Sequence, residues 1–240
     1  MGRYTTDTTI VDNGNPQCEQ RKHFDAYIKS FWEKGCVIAT NIRTYEILIN
    51  EKADNLFRIS PCFFNAAIYN TFALSTIWLT SFFSKSDSAS LWKFLDYCER
   101  NQKHIFTMDC YVETVNVPNS KVKVDMGDFA TRLQEAKQLM NDNADLINRI
   151  KVNRNKAFAH FDESVLVTGK RQLTFSLKDL KDLFNLAENV VNKMKCFYDR
   201  KTLSFEPINV SDINQIISIA DGFVNNKHTI IELKKNGILK

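Results

Sequence analysis

The sequence predicts a mainly α protein, a helical bundle with a small β-hairpin or loop insertion. Three observations carry this. Apolar residues recur at steps of three and four through most of the chain. Glycine (7) and proline (4) are scarce in 240 residues, which disfavours a turn-rich all-β sandwich and low-complexity disorder. Hydrophobic residues make up 44%, enough for one compact domain with small additions.

Residues 1–14 are polar and read as a loose arm. Asn15-Pro16 then supplies a cap and a proline suited to the first helical position. Phe24, Ile28, Phe31, Gly35, Ile38, Ile42, Tyr45 and Ile49 form the stripe of a long helix. Gly35 lies in that stripe, where the missing side chain permits a close approach or leaves a weak point. Ser60-Pro61 repeats the cap-and-proline signal, and no residue from Ile59 to Ser84 is charged. About 20 apolar residues suffice to cross a bilayer. Asn65, Asn70, Thr71, Ser75, Thr76, Thr80 and Ser81 make this stretch too polar for that, so a helix buried on most sides is expected. Ser88 or Ser90 starts a shorter helix through Leu91, Leu95 and Cys98, ending near Asn101.

The period changes over 108–126. Tyr111, Glu113, Val115 and Val117, then Val122 and Val124, alternate around Pro118-Asn119-Ser120. That pattern reads as a β-hairpin or an irregular loop. Helical spacing returns with Phe129, Leu133, Ala136, Met140, Ile147, Ile150, Ala157 and Phe161, broken at Asn141-Asp142-Asn143. Ser176 and Asp179 form a capping box before Leu180, Leu183, Phe184, Ala187, Val191, Met194 and Phe197. Ser211 is expected to cap a weaker terminal helix carrying Ile213, Ile216, Ile217 and Ile219. The domain reading is an arm (1–14), a helical domain (15–201) and a C-terminal extension (202–240).

Several chemistries lose their signatures. Lys plus Arg (32) against Asp plus Glu (28) leaves a net charge of +4, so any basic surface must be local. The six cysteines, at 18, 36, 62, 98, 110 and 196, form no C-x-x-C pair. They read as free, mostly buried thiols in a reducing cytosol. Met1-Gly2-Arg3-Tyr4-Thr5-Thr6 has no apolar stretch of a secretory signal, so a cytoplasmic location is expected. There is no G-x-G-x-x-G, Walker loop, H-E-x-x-H or G-x-S-x-G. The four histidines, at 23, 104, 160 and 228, are scattered, so no metal or other cofactor is expected. The pairs Asp142/Asp145 and Asp179/Asp182 read as solvated helix faces.

One segment stands out. Residues 149–156 hold Arg149, Lys151, Arg154 and Lys156 and no acid. On a helical wheel Arg154 falls among Ile147, Ile150, Ala157, Phe158 and Phe161. A charge on an apolar stripe is costly unless it is paired or faces a polar site. On periodicity alone, a snorkelling or ion-paired Arg and a functional Arg are equal readings. His160 lies six residues on, about 120° around and about 9 Å along the axis. Its near-neutral pKa suits it to proton transfer.

Arg154-Asn155-Lys156-Ala157-Phe158-Ala159-His160 resembles the R-x4-6-H motif of HEPN domains, with Asn155 as the polar residue after the Arg. The "AHFD" run ending at Asp162, together with the uncharged helix before Ser84-Lys85-Ser86-Asp87, is most similar to the AbiU2-like branch. The similarity covers residues 16 to about 200. It implies an all-α bundle, and a metal-independent endoribonuclease of bacterial defence, toxin–antitoxin or abortive-infection systems. By the same resemblance Arg154, Asn155 and His160 are catalytic, and a homodimer brings two motifs together. Arg149, Lys151 and Lys156 are the expected RNA contacts, an antitoxin or defence partner is expected, and no membrane is. Where related toxins carry a modified Tyr two positions after the His, this chain has Asp162, which puts that mode of control in doubt. A non-catalytic HEPN-like dimerisation or interaction module is the rival reading, since function resides in the site rather than the fold.

Overall fold

The computed structural model describes residues 16–50, 53–105, 126–155, 174–199 and 202–237. The protein is mainly α, with nine helices and no strand among the described residues. They are α1 (Pro16–Leu48), α2 (Asp54–Ile59), α3 (Pro61–Phe82), α4 (Leu91–Ile105) and α5 (Met126–Asp142). After these come α6 (Ala144–Arg154), α7 (Leu177–Asp199), α8 (Ser211–Asn225) and α9 (Lys227–Lys235). The hairpin expected over 108–126 and the arm at 1–14 lie outside the described residues, except that Met126 already opens α5.

The chain divides into two compact units. The first groups residues 1–32, 82–144 and 186–203. Its core is aromatic at one end. Phe31 meets Phe82 edge-on with ring centres 5.2 Å apart, and Phe24 and Phe94 lie 5.4 Å apart. Leu91, Leu95, Cys98, Leu133, Ala136 and Met140 are buried at the helical period expected for α4 and α5. Each fully buried Leu, Phe or Met among them contributes roughly 1.5–3 kcal/mol relative to exposure. The Ser90 hydroxyl accepts from the Lys93 N–H at 3.3 Å, so Ser90 caps α4. That helix runs four residues past its expected end, to the buried Ile105.

The second unit groups residues 33–81, 145–185 and 204–240. Ile47, Leu48, Ala53, Leu56, Ile217 and Ala220 form one apolar cluster, with Phe57, Phe64 and Ile68 packed on it. Ser60 separates α2 from α3 with φ −145° and ψ 77°. The residue before a proline is pushed out of the helical region, and Pro61 is the first residue of α3. A Cβ on Gly35 would lie 2.5 Å from Cγ of Phe205. A close approach is therefore made at this glycine, by the ring of Phe205 from a non-helical stretch rather than by another helix.

Helix α3 departs from expectation. Ser75, Thr76 and Thr80 are buried, and their hydroxyls donate to the carbonyls of Thr71, Phe72 and Thr76. Back-bonding of this kind lets polar residues sit inside a helix at little cost. Yet Phe63, Tyr69, Leu74 and Trp78 are exposed, so α3 is not buried on most sides. Among the described residues, no helix is long and apolar enough to cross a membrane. Ser211 also differs from expectation. The residue preceding the helix is Val210, and no side chain caps α8. Ile217 and Ala220 are buried, while Ile216 and Ile219 face outward.

Candidate functional site

The motif helix is α6, and its limits follow from local chemistry. Asn143 interrupts the path from α5, its side-chain amide donating to the Leu139 carbonyl at 2.8 Å. A donor that bonds the backbone this way competes with helix propagation. Ile147 and Ile150 are buried at a spacing of three, which fixes the inward face of α6.

Asn153 continues that face and is also buried. Its Nδ2 donates to the Arg149 carbonyl at 2.8 Å and to the Thr174 hydroxyl at 2.7 Å. Its Oδ1 accepts from the Thr174 N–H at 2.9 Å. A buried amide is tolerated when its donors and acceptor are filled, and here they are. Sequence reasoning did not single out Asn153. Its signal was a polar residue three after Ile150, where the stripe calls for an apolar one.

Two residues beyond Thr174, the predicted capping box is present. The Ser176 N–H and hydroxyl both reach Asp179 Oδ2 at 2.8 Å, and the Asp179 N–H donates to the Ser176 hydroxyl at 3.2 Å. Asp179 also pairs with Arg149. The Ser176 N–H first, then its hydroxyl, and then the Arg149 charge hold the Asp179 carboxyl below the usual aspartate range. Asp179 is thus the expected cap and also an ion-pair partner, which the solvated-face reading of the Asp179/Asp182 pair did not include.

The candidate residues divide accordingly. Arg149 is engaged with Asp179 but remains half exposed. About 140° around the helix from it, Arg154 lies on the arc shared with Lys151 and, just past the helix end, Asn155. All three are half-buried. Arg154 makes no ion pair or hydrogen bond among the described residues, and its Nε is buried without a partner. Lys156 and His160 lie outside the described residues.

An unfilled buried donor costs about 1–3 kcal/mol, and more when it is charged. The α6 dipole offsets part of this, since Lys151 and Arg154 occupy its last turn. What the arrangement offers chemically is a planar five-donor cation whose fork no carboxylate of the described residues takes up, beside an amide at Asn155.

Elsewhere in the second unit, a cavity of about 640 Å³ is lined by polar residues such as Arg43, Glu46, Asn55 and Asp221 and by Ile47 and Ile217. None of the motif residues lines it. Asn55 Nδ2 donates to Asp221 Oδ1 at 2.8 Å. Burial acts to raise the Glu46 pKa, but bonds from Lys181 and Arg43 outweigh it and pull the carboxyl below its usual range. Among the described residues no group of three or more His, Cys, Asp or Glu converges on a metal position.

Residues 121–216 match the family model HEPN_AbiU2, described as AbiU2. The matched stretch contains α5, α6, the motif segment and α7. No curated protein and no solved structure matches the chain.

Proposed function

From the AbiU2-type HEPN region that the chain carries over residues 121–216, we propose that it is a metal-independent endoribonuclease of bacterial defence or toxin–antitoxin systems, acting in the cytoplasm. RNA supplies its own nucleophile. The 2′-OH attacks the adjacent phosphorus, the bond to the 5′-oxygen breaks, and the products are a 2′,3′-cyclic phosphate and a 5′-OH. His160 takes the proton from the 2′-OH or delivers one to the leaving oxygen. Arg154 clamps the phosphate oxygens with its fork, stabilising charge as the phosphorane forms. Asn155 orients the phosphate or His160. Arg149, Lys151 and Lys156 bind flanking phosphates, and Arg149 shares its charge with Asp179 in doing so. The active form is a symmetric homodimer in which two motifs meet.

One observation carries this reading. The obvious structural use of Arg154 is an ion pair with a buried carboxylate, and Arg154 makes none among the described residues. A half-buried guanidinium with no partner among the described residues is open to serve as a phosphate clamp. The test is incubation of RNA in EDTA with wild type and with His160→Ala. Cleavage by wild type alone, leaving cyclic phosphate ends, supports the proposal. Cleavage that needs Mg²⁺, or that persists in His160→Ala, favours the interaction module.

A further inference from the structure

We infer that the cavity between α1 and α8 binds a short zwitterionic peptide, its carboxylate at Arg43 and its ammonium at Asp221. Two hydrogen bonds set the walls. The Thr40 hydroxyl accepts from the Ile208 N–H at 2.7 Å, and Asn55 Nδ2 donates to Asp221 Oδ1 at 2.8 Å. Helix α8 therefore runs in the same direction as α1. Ile47 of α1 and Ile217 of α8 are buried in one apolar cluster and also line the cavity, so they form its floor. Arg43 lies one turn before Ile47, and Asp221 lies one turn after Ile217. The two charged residues thus sit at opposite ends, roughly 11 Å apart along the helices.

The ends carry opposite net charge. At one, Glu46 accepts from Arg43 at 3.3 Å and from Lys181 at 2.8 Å. Two cations around one carboxylate leave a positive surplus. The other guanidinium nitrogens of Arg43 have no partner among the described residues, and its side chain is half exposed. At the far end Asp221 is half-buried, and its Oδ1 is engaged by a neutral amide. Its second oxygen has no partner among the described residues. A partly desolvated carboxylate is stabilised by a cation. A simple anion is repelled by Asp221 and a polyamine by Arg43, whereas a ligand with one charge at each end suits both.

The wall between the ends fits peptide units. Asn214, Ser218 and Asn225 share the cavity face of α8 with Asp221, at steps of three and four. None of these three side chains is hydrogen-bonded among the described residues. A side-chain amide offers donor and acceptor together, the complement of a peptide C=O and N–H. Among the described residues no aromatic side chain lines the cavity, so a nucleobase finds no stacking face. An extended chain advances about 3.3–3.6 Å per residue, so about three residues bridge the two ends. The volume, about 640 Å³, is that of a small-ligand site. Capture of a chain's terminal amine or carboxylate is a recurring mode of recognition.

No step of RNA cleavage enters this site, and the readout is binding. The experiment is isothermal titration calorimetry of the full chain with tri-alanine, N-acetyl-tri-alanine and tri-alanine amide, with circular dichroism as a check on folding. Tri-alanine should bind, and blocking either end should weaken binding at least about tenfold. Asp221→Asn keeps an acceptor for Asn55 and should stay folded. It should weaken tri-alanine by a similar factor and leave the N-acetyl peptide unaffected. Arg43→Gln, at an exposed position, should weaken tri-alanine likewise and leave the amide unaffected. Absence of tri-alanine binding at about 10 mM, equal affinity for free and blocked peptides, or unchanged tri-alanine binding in both variants would overturn the inference. Binding of free arginine or lysine in place of tri-alanine would overturn it in favour of a single amino acid.

Discussion

Asn153 and Thr174 hold each other through two hydrogen bonds, with the Asn153 amide donating to the Thr174 hydroxyl at 2.7 Å and accepting from the Thr174 N–H at 2.9 Å. The two residues stand on either side of the segment that carries His160, so the clasp fixes where the chain leaves α6 and where it returns. Asn153→Ala removes two hydrogen bonds to Thr174, which is exposed and can turn to water, each bond contributing about 0.5–1.5 kcal/mol. It should destabilise the protein by about 1–3 kcal/mol. RNA cleavage should fall further in this variant than in Lys151→Ala, which removes one of the proposed phosphate contacts. Urea denaturation and cleavage rates on the same preparations check this.

The capping box predicts an acid dependence. The Asp179 pKa is lower in the folded chain than in the unfolded one. Its contribution is therefore complete above the ordinary aspartate value of about 4, and is lost as pH falls through the lowered folded value. Asp179→Asn keeps the size but loses the charge facing Arg149 and the α7 N-terminus. Its stability should fall below wild type at neutral pH and converge with it in acid. Denaturation midpoints from neutral pH to about 2 measure the convergence.

Tyr97 predicts a basic limb. Burial first, then the neighbouring Cys98 and Tyr27, raise its pKa to about 12. The neutral hydroxyl donates to the Gln20 carbonyl at 2.8 Å. Stability from this raised group is fully present below the unfolded tyrosine value of about 10 and lost as pH rises through the folded value. In a phenolate absorbance titration of the folded protein, one tyrosine should ionise near 12, and Tyr97→Phe should remove that step.

Gly35→Ala sets two effects against each other. Alanine favours a helix interior by about 1 kcal/mol. Its Cβ would lie 2.5–2.7 Å from three ring carbons of Phe205, and overpacking of that kind costs about 1–3 kcal/mol. Net destabilisation is expected. Phe205→Leu should be less harmful in the Gly35→Ala background than alone, which a double-mutant cycle in urea would read directly.

Much of this fold was legible because its punctuation is local. Pro61 opens α3, Asn143 divides α5 from α6, and the Ser176–Asp179 box precedes α7. Each acts through its own backbone neighbours, so spacing alone reveals it. Helix α2 was missed because six residues hold less than two turns and show no stripe. Ser211 was read as a cap although its hydroxyl reaches Asn209 instead, a choice that short-range preference does not determine. The exposure of Phe63 and Trp78 could not be read from an uncharged run, because burial depends on what packs against it. At the site, Arg154 was found as a charge on an apolar stripe. Asn153 was passed over because its partner Thr174 is 21 residues away. Asp179 was legible as the partner of Ser176 in the capping box, but its ion pair with Arg149, 30 residues away, was not.

The central claim is that Arg154, which has no partner among the described residues, holds a scissile phosphate with its fork. The most direct measurement is the RNA cleavage rate, in EDTA, of Arg154→Ala and Arg154→Lys beside wild type, with stability measured in parallel. The account predicts that Arg154→Ala loses at least about a hundredfold while remaining folded, and that Arg154→Lys restores the charge without full activity because a point charge cannot grip two oxygens at once. Wild-type rates in Arg154→Ala, or a loss of activity that merely tracks unfolding, would contradict it.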